Sequence, residues 1–262
     1  MTKPNPPSGN APRDHNVLVR RDEMPAELAK LTEQDAGKGV SNRREDQIVP
    51  IIGVVQTNSP CLDKGSDKYR GTAKVGDIIL AGALDDVRDG EQGIETIFCE
   101  MVPTWTIWLP GRQGLVERRT ERPSDAVTTL SSEGGRSKRV TMCDNGQHIA
   151  QETKEYYVVV EDRPYMLPLW STRITFGREL QTHFHQFTAA NGRPLPSFAR
   201  KYRLFTAPKV NVLGRWYRLK FQDLGWVTKP EYELARALHN AVSSGTVTSD
   251  VSSEQPDADA VW

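Results

Sequence analysis

Between Arg163 and Lys229 the chain carries twelve basic residues and only two acids, Glu179 and Asp223, a net charge of +10 in a molecule that is neutral as a whole. The rest of the chain must therefore carry −10. Twelve of the 20 aromatic residues lie in the same stretch. A surface built only to stay hydrated mixes its signs, whereas a single-sign field attracts a ligand of opposite charge. Two readings stay open on composition alone. Either the rings form an ordinary core under a coat of Arg and Lys, or cations and rings together take a single nucleic-acid strand. Cations displace counterions from phosphate, and flat rings stack on any base.

Periodicity decides how the stretch folds. RKYRLFTAP and GRWYRLKFQ alternate with period two and read as paired strands, with PKVNVLG long enough for a hairpin loop carrying Lys209. In the first strand Lys201, Arg203 and Phe205 share one face and Tyr202 and Leu204 the other. In the second, Arg215, Tyr217 and Leu219 oppose Trp216, Arg218 and Lys220. Upstream, Ser171 reads as an N-cap, and Ile174, Gly177, Leu180, Phe184 and Phe187 recur at helical spacing toward Asn191-Gly192, which predicts a helix over 172–189. His183 and His185 stand two apart on that helix and point to different sides, a poor geometry for a shared metal.

Earlier in the chain, IVPIIGVVQ and DIILAG read as short strands, and IETIFCEMVPTWTIWLP as a longer one. Trp105 and Trp108 are three apart, so a regular strand would send them to opposite faces, one to the core and the other free to stack on a base. Residues 111–146 read as long turns between short strands. ETKEYYVVVED follows as a strong strand, broken at Arg163-Pro164. After the hairpin, Thr228-Lys229-Pro230-Glu231 is a capping box, and Tyr232, Leu234, Ala235, Leu238 and Val242 make an apolar stripe. These patterns predict an α+β chain, mainly β, with an inserted helix and a C-terminal helix. Residues 1–47 read as a largely disordered charged arm, 48–242 as one domain, and 243–262 as a disordered acidic tail.

Cys61, Cys99 and Cys143 are odd in number and far apart, which suits a reducing compartment and neither a disulfide framework nor a zinc knuckle. The first 25 residues carry no apolar signal core, and no window approaches 18 apolar residues, so a cytoplasmic protein with no membrane partner is expected.

The order of short motifs resembles a group of tailed-phage proteins described as single-stranded DNA-binding proteins. Those motifs are VPIIGVVQTNSP, KYRGTAKVGD, VPTWTIWLP, EYYVVV, STRITFGREL, LPSFARKYRLFTAPKVNVLGRWYRLKF and GWV, spanning about residues 48–242. The tail, with Asp250, Glu254, Asp257 and Asp259 and a final Trp262, resembles the tails of bacterial and phage single-strand binders, although Trp stands where Phe is usual. The resemblance implies an OB-like antiparallel barrel. It also implies that the tail competes with DNA and docks replication or recombination enzymes, in host cytoplasm, with a homo-oligomer open.

The nucleic-acid-binding set expected is Arg173, Arg178, Arg200, Lys201, Arg203, Lys209, Arg215, Arg218 and Lys220, with Tyr202, Trp216, Tyr217 and Trp105 or Trp108 stacking. No catalytic residue, metal or cofactor is expected. Two other classes compete: a structural or host-interaction phage protein, and a metal-dependent nuclease built on Asp85, Asp86, Asp89 and Glu91 with His183 or His185.

Overall fold

The computed structural model describes residues 48–81, 86–110, 114–131, 138–211 and 214–249. The chain divides into two units, Met1–Asn42 and Arg43–Trp262, and every described residue belongs to the second. In chain order the strands are β1 (Ile48–Val49), β2 (Ile52–Val54), β3 (Ile78–Leu80), β4 (Val87–Arg88), β5 (Ile94–Trp108), β6 (Leu115–Arg119) and β7 (Val127–Ser131). There follow β8 (Lys138–Cys143), β9 (His148–Val160), β10 (Arg163–Trp170), helix α1 (Ile174–Phe184), β11 (Arg200–Asn211), β12 (Gly214–Trp226), helix α2 (Lys229–Ser243) and β13 (Thr248–Ser249).

β9 is the strand the others assemble on. Its run from Tyr156 to Val160 is buried throughout, so both faces are covered, which is why it reads as a continuous apolar run instead of an alternating one. β5 pairs along one side of it and β10 along the other, both antiparallel. β11 joins β5 through Tyr202–Leu204 against Ile94–Thr96, and β12 closes a long hairpin on β11. β6 pairs with the far end of β5, and β8 and β7 continue from β9. The eight strands follow the path β12-β11-β5-β9-β8-β7 with β10 and β6 alongside, and β12 and β7 stand at its two ends. The α+β, mainly β class expected from sequence is what forms. Among the described strands this path is open, with no pairing of β12 to β7 that would close a barrel.

Each face of this sheet has its own cover. On one, Tyr156, Val158, Leu167, Tyr202 and Leu204 meet α1 and the small antiparallel sheet β2-β3-β4. α1 contributes Phe176, Leu180 and Phe184, each worth roughly 1.5–3 kcal/mol when fully buried. On the other face, Ile97, Tyr157, Val159 and Met166 pack against Ala235, Leu238 and Val242 of α2. The capping box of α2 forms as expected, with the Thr228 amide and hydroxyl both donating to Glu231. Leu234 departs from the expected stripe and is 38% exposed. β1 and β13 form a short parallel pair.

Several sequence expectations are corrected. Arg163-Pro164 does not break β9. The turn is Glu161-Asp162, both at positive φ (50° and 59°), and Arg163-Pro164 opens β10, whose prolines are tolerated because, among the described residues, its other edge carries a single isolated bridge, Ile51 with Met166, and no ladder. Pro103 is likewise tolerated inside β5, in the part of the strand where neither β11 nor β6 pairs. Ser171 is not an N-cap: β10 runs directly into a 3-10 turn, where Ser171 has φ 52°. The helix ends at Phe184, because Thr188 bridges Pro194 and uses Asn191-Gly192 for a small turn. The β11–β12 hairpin is also longer than expected, with Lys209 inside β11 opposite Trp216.

Candidate functional site

The hairpin keeps the alternation its sequence shows. Tyr202, Leu204, Thr206 and Leu219 turn inward and are buried. Arg203, Phe205, Lys209, Trp216, Arg218 and Lys220 share the opposite face. Pro208 stands opposite Tyr217. Proline has no N–H to give, which suits a pair whose backbone groups point away from each other. Tyr217 consequently directs its own amide and carbonyl out of the sheet edge, where Gln56 takes both. The Tyr217 amide donates to Gln56 Oε1 at 3.1 Å, and Gln56 Nε2 donates to the Tyr217 carbonyl at 2.9 Å.

Two glycines let the loops after β2 and β4 close on the hairpin. A Cβ on Gly90 would lie 1.8 Å from the Gly76 carbonyl oxygen, and one on Gly76, at φ 100°, would lie 2.5 Å from the Tyr217 ring. The Thr206 amide donates to the Gly90 carbonyl at 2.7 Å and its hydroxyl to the Gly76 carbonyl at 2.6 Å.

These contacts leave a cleft of about 270 Å³ between the hairpin, the start of α1 and the end of β2. Arg173, Lys209 and Arg218 line it, with Glu179 as the one carboxylate among its lining residues, and so do Trp170, Phe176, Trp216 and Tyr217. The cations lie over the rings. The Lys209 ammonium is 5.4 Å from the Trp216 centroid and the Arg173 guanidinium 5.2 Å from that of Trp170. Arg215 stacks 5.3 Å from Tyr217 and donates to its hydroxyl at 2.9 Å. Such pairs hold ring and charge together in one place.

The cleft thus unites Arg173, Lys209, Trp216, Tyr217 and Arg218 from the expected set, with Arg215 beside them. Arg203 and Lys220 stay on the cationic face of the hairpin, Arg203 over Phe205 at 5.8 Å. Arg178 is exposed on α1, but five residues on from Arg173 it points about 140° round the axis.

Three expected binders are structural. Arg200 donates twice to Asp223 at 2.8 Å, with Phe187 at 4.1 Å and Trp226 at 4.6 Å on its guanidinium. Burial pushes Asp223 up, but hydrogen bonds from Arg200, His183 and the Gly225 amide outweigh it and hold this carboxyl below its usual range. Lys201 is ion-paired with Glu95 at 3.2 Å and with Glu231 of α2. Tyr202 is 1% exposed, and desolvation pushes its phenol well up, so it is a core ring and not a stacking platform.

Neither tryptophan of β5 joins the cleft. Trp108 is buried, with a register shift before it, and its indole N–H has no partner among the described residues. Trp105 is half-buried under Arg122, nine residues along β5 from the β11 pairing, roughly 30 Å at strand rise.

The tail residues Asp250, Glu254, Asp257, Asp259 and Trp262 lie outside the described residues, as does Asp85. Of the other acids weighed for a nuclease, Asp86 is buried against Arg70 at 2.9 Å. Asp89 accepts from the Glu91 and Gln92 amides. His183 bonds Asp223, while His185 is exposed beyond α1. No group of three or more His, Cys, Asp or Glu able to hold a metal occurs among the described residues. Among the same residues no helix is long and apolar enough to cross a membrane. Sequence reasoning missed Trp170 and Gln56. Trp170 carried a signal, an aromatic just before a helix with a cation three residues on, and Gln56 carried none.

A family model described as Pam3 phage gp34-like protein matches residues 19–248. The chain belongs to the Pam3 phage gp34-like family. The match takes in the whole hairpin, α1 and every residue lining the cleft, and so attaches this site to a phage protein family. No curated protein and no solved structure matches the chain.

Proposed function

We propose that the cleft at the β11–β12 hairpin binds a single strand of nucleic acid, DNA in the first instance, without reading its sequence and without chemistry. The observation that carries this reading is the lining itself, three cations to one carboxylate, with Lys209 over Trp216 and Arg173 over Trp170. Phosphates pair with the cations and release counterions, while bases stack on rings whose orientation those cations hold. Arg218 and Lys220 extend the positive surface along β12, and Arg203 extends it along β11.

The OB-type relation implied by the sequence resemblance belongs to the same proposal. So does a place in phage replication or recombination, with the acidic tail contacting partner enzymes. Fluorescence anisotropy with labelled oligo-dT and a same-length duplex, each at two salt concentrations, tests the binding. Salt-sensitive binding that favours the single strand supports it. Absence of binding at low salt overturns it and favours a structural or host-interaction protein. Val127 and Leu130, 60% and 69% exposed on the terminal strand β7, would then be the surface to examine.

A further inference from the structure

Trp226 is the most exposed aromatic ring among the described residues, at 64%. It is nevertheless held in place. The Arg200 guanidinium lies 4.6 Å from its centroid and 4.1 Å from that of Phe187, so Phe187, Arg200 and Trp226 form one stack. Arg200 cannot swing, because Asp223 accepts from both its Nε and one terminal nitrogen at 2.8 Å. Holding Arg200 does not need an indole on the solvent side, since Phe187 and Asp223 already fix it. What the indole adds is a large flat surface, backed on one side and facing water.

Its position relates it to the cleft. The register shift between Lys201 and Tyr202 puts Trp226 opposite Arg200, on the α1 side of the sheet. It ends the strand that carries Trp216 and Tyr217 near its start, and that strand is the terminal one of the sheet. Ten residues separate Trp216 from Trp226, about 33 Å at strand rise. That length matches about ten nucleotides at 3.4 Å per stacked base, inside the range of about 4–16 nucleotides for single-strand sites.

We infer that Trp226 is a second stacking platform, at the far end of a single-strand track that starts in the cleft and runs along β12 beyond the Gln56 contact. The inference rests on the reading of the cleft as a single-strand site and deepens it by setting the length of strand the protein takes.

The test uses the full chain, labelled dT4 and dT15, and the variants Trp226→Ala and Trp226→Leu. The leucine keeps apolar cover on Arg200 without a flat ring, and circular dichroism confirms that each variant is folded. Both variants should weaken dT15 binding by roughly 5- to 150-fold, the effect of losing one stacking ring, and leave dT4 binding at the cleft unchanged. Unchanged dT15 affinity in a folded variant overturns the second platform and leaves the cleft standing. Equal losses on dT4 and dT15 also overturn it, since they place Trp226 in the short site. If the unmodified chain binds neither oligonucleotide, the cleft and the platform fall together.

Discussion

Gln56 holds both backbone groups of Tyr217 across 161 residues of sequence, its amide standing in for one residue of a neighbouring strand. This contact ties the end of β2 to the edge of β12 and closes the cleft on that side. A side-chain amide presents an N–H donor and a C=O acceptor side by side, as a backbone peptide does, and Asn, the other side chain of this kind, is a methylene shorter.

Replacing Gln56 should therefore cost stability in a graded order. Gln56→Ala loses two hydrogen bonds at about 0.5–1.5 kcal/mol each, a total of roughly 1–3 kcal/mol. Gln56→Glu should cost more than Ala at neutral pH, because a carboxylate oxygen then faces the Tyr217 carbonyl. Urea titrations at pH 7 read both values, and an order with Glu milder than Ala would contradict the geometry.

Two glycines give a sharper contrast. Gly90→Ala places a methyl 1.8 Å from the Gly76 carbonyl oxygen, a backbone atom also engaged by Thr206, so the loop must move away from β11. Overpacking typically costs about 1–3 kcal/mol, and a clash with fixed backbone belongs at or above the top of that range. Gly53 sits in β2 with nothing within 4 Å of its added Cβ and no positive φ. Gly53→Ala should be neutral or stabilise by about 0.4–1 kcal/mol through the unfolded chain. Thermal melts of the two variants, run side by side, check the difference.

The charge network around Asp223 sets an acid limit. Its carboxyl is held below its ordinary value of 3.8 in the folded chain. An acid whose folded pKa is depressed adds stability that is fully present above its unfolded pKa and disappears as pH falls through the folded value. The urea midpoint should therefore hold from neutral pH down to about pH 5 and fall progressively below pH 4. Asp223→Asn should lower the midpoint at pH 7 and flatten the decline, since the titrating group is gone.

Much of this is legible in the sequence because its causes are local. Alternation in RKYRLFTAP already groups Tyr202 with Leu204, and the buried face is that face; a stacking role for Tyr202 runs against its own periodicity. The capping box of α2 is likewise written in four consecutive residues. What sequence does not show is register. Arg200 reads as a phosphate ligand until the β11–β12 pairing brings Asp223 to it past a bulge. Lys201 reads the same way until α2 returns with Glu231. The cleft itself depends on Gln56, Trp170 and Trp216, which come from three separate parts of the chain. The run PYMLPLW carries two prolines, which count against a strand in isolation, and its place alongside β9 accommodates them.

The cations of the hairpin should separate by role when oligo-dT binding is followed against salt. Lys209 and Arg218 line the cleft, so the double variant Lys209→Ala/Arg218→Ala should weaken binding and reduce the slope of log affinity against log salt by about 1.4, at about 0.7 for each phosphate no longer neutralised. Trp216→Ala should weaken binding by about 1–3 kcal/mol and leave that slope nearly unchanged, because it removes stacking and no charge. Lys201→Ala should do the opposite of both. Its ammonium is committed to Glu95 and Glu231, so the loss should register as lowered stability in a urea titration with oligonucleotide affinity within twofold of the unmodified chain. A Lys201 variant that loses affinity as steeply as the Lys209 and Arg218 pair would move the binding surface from the cleft to the other end of β11.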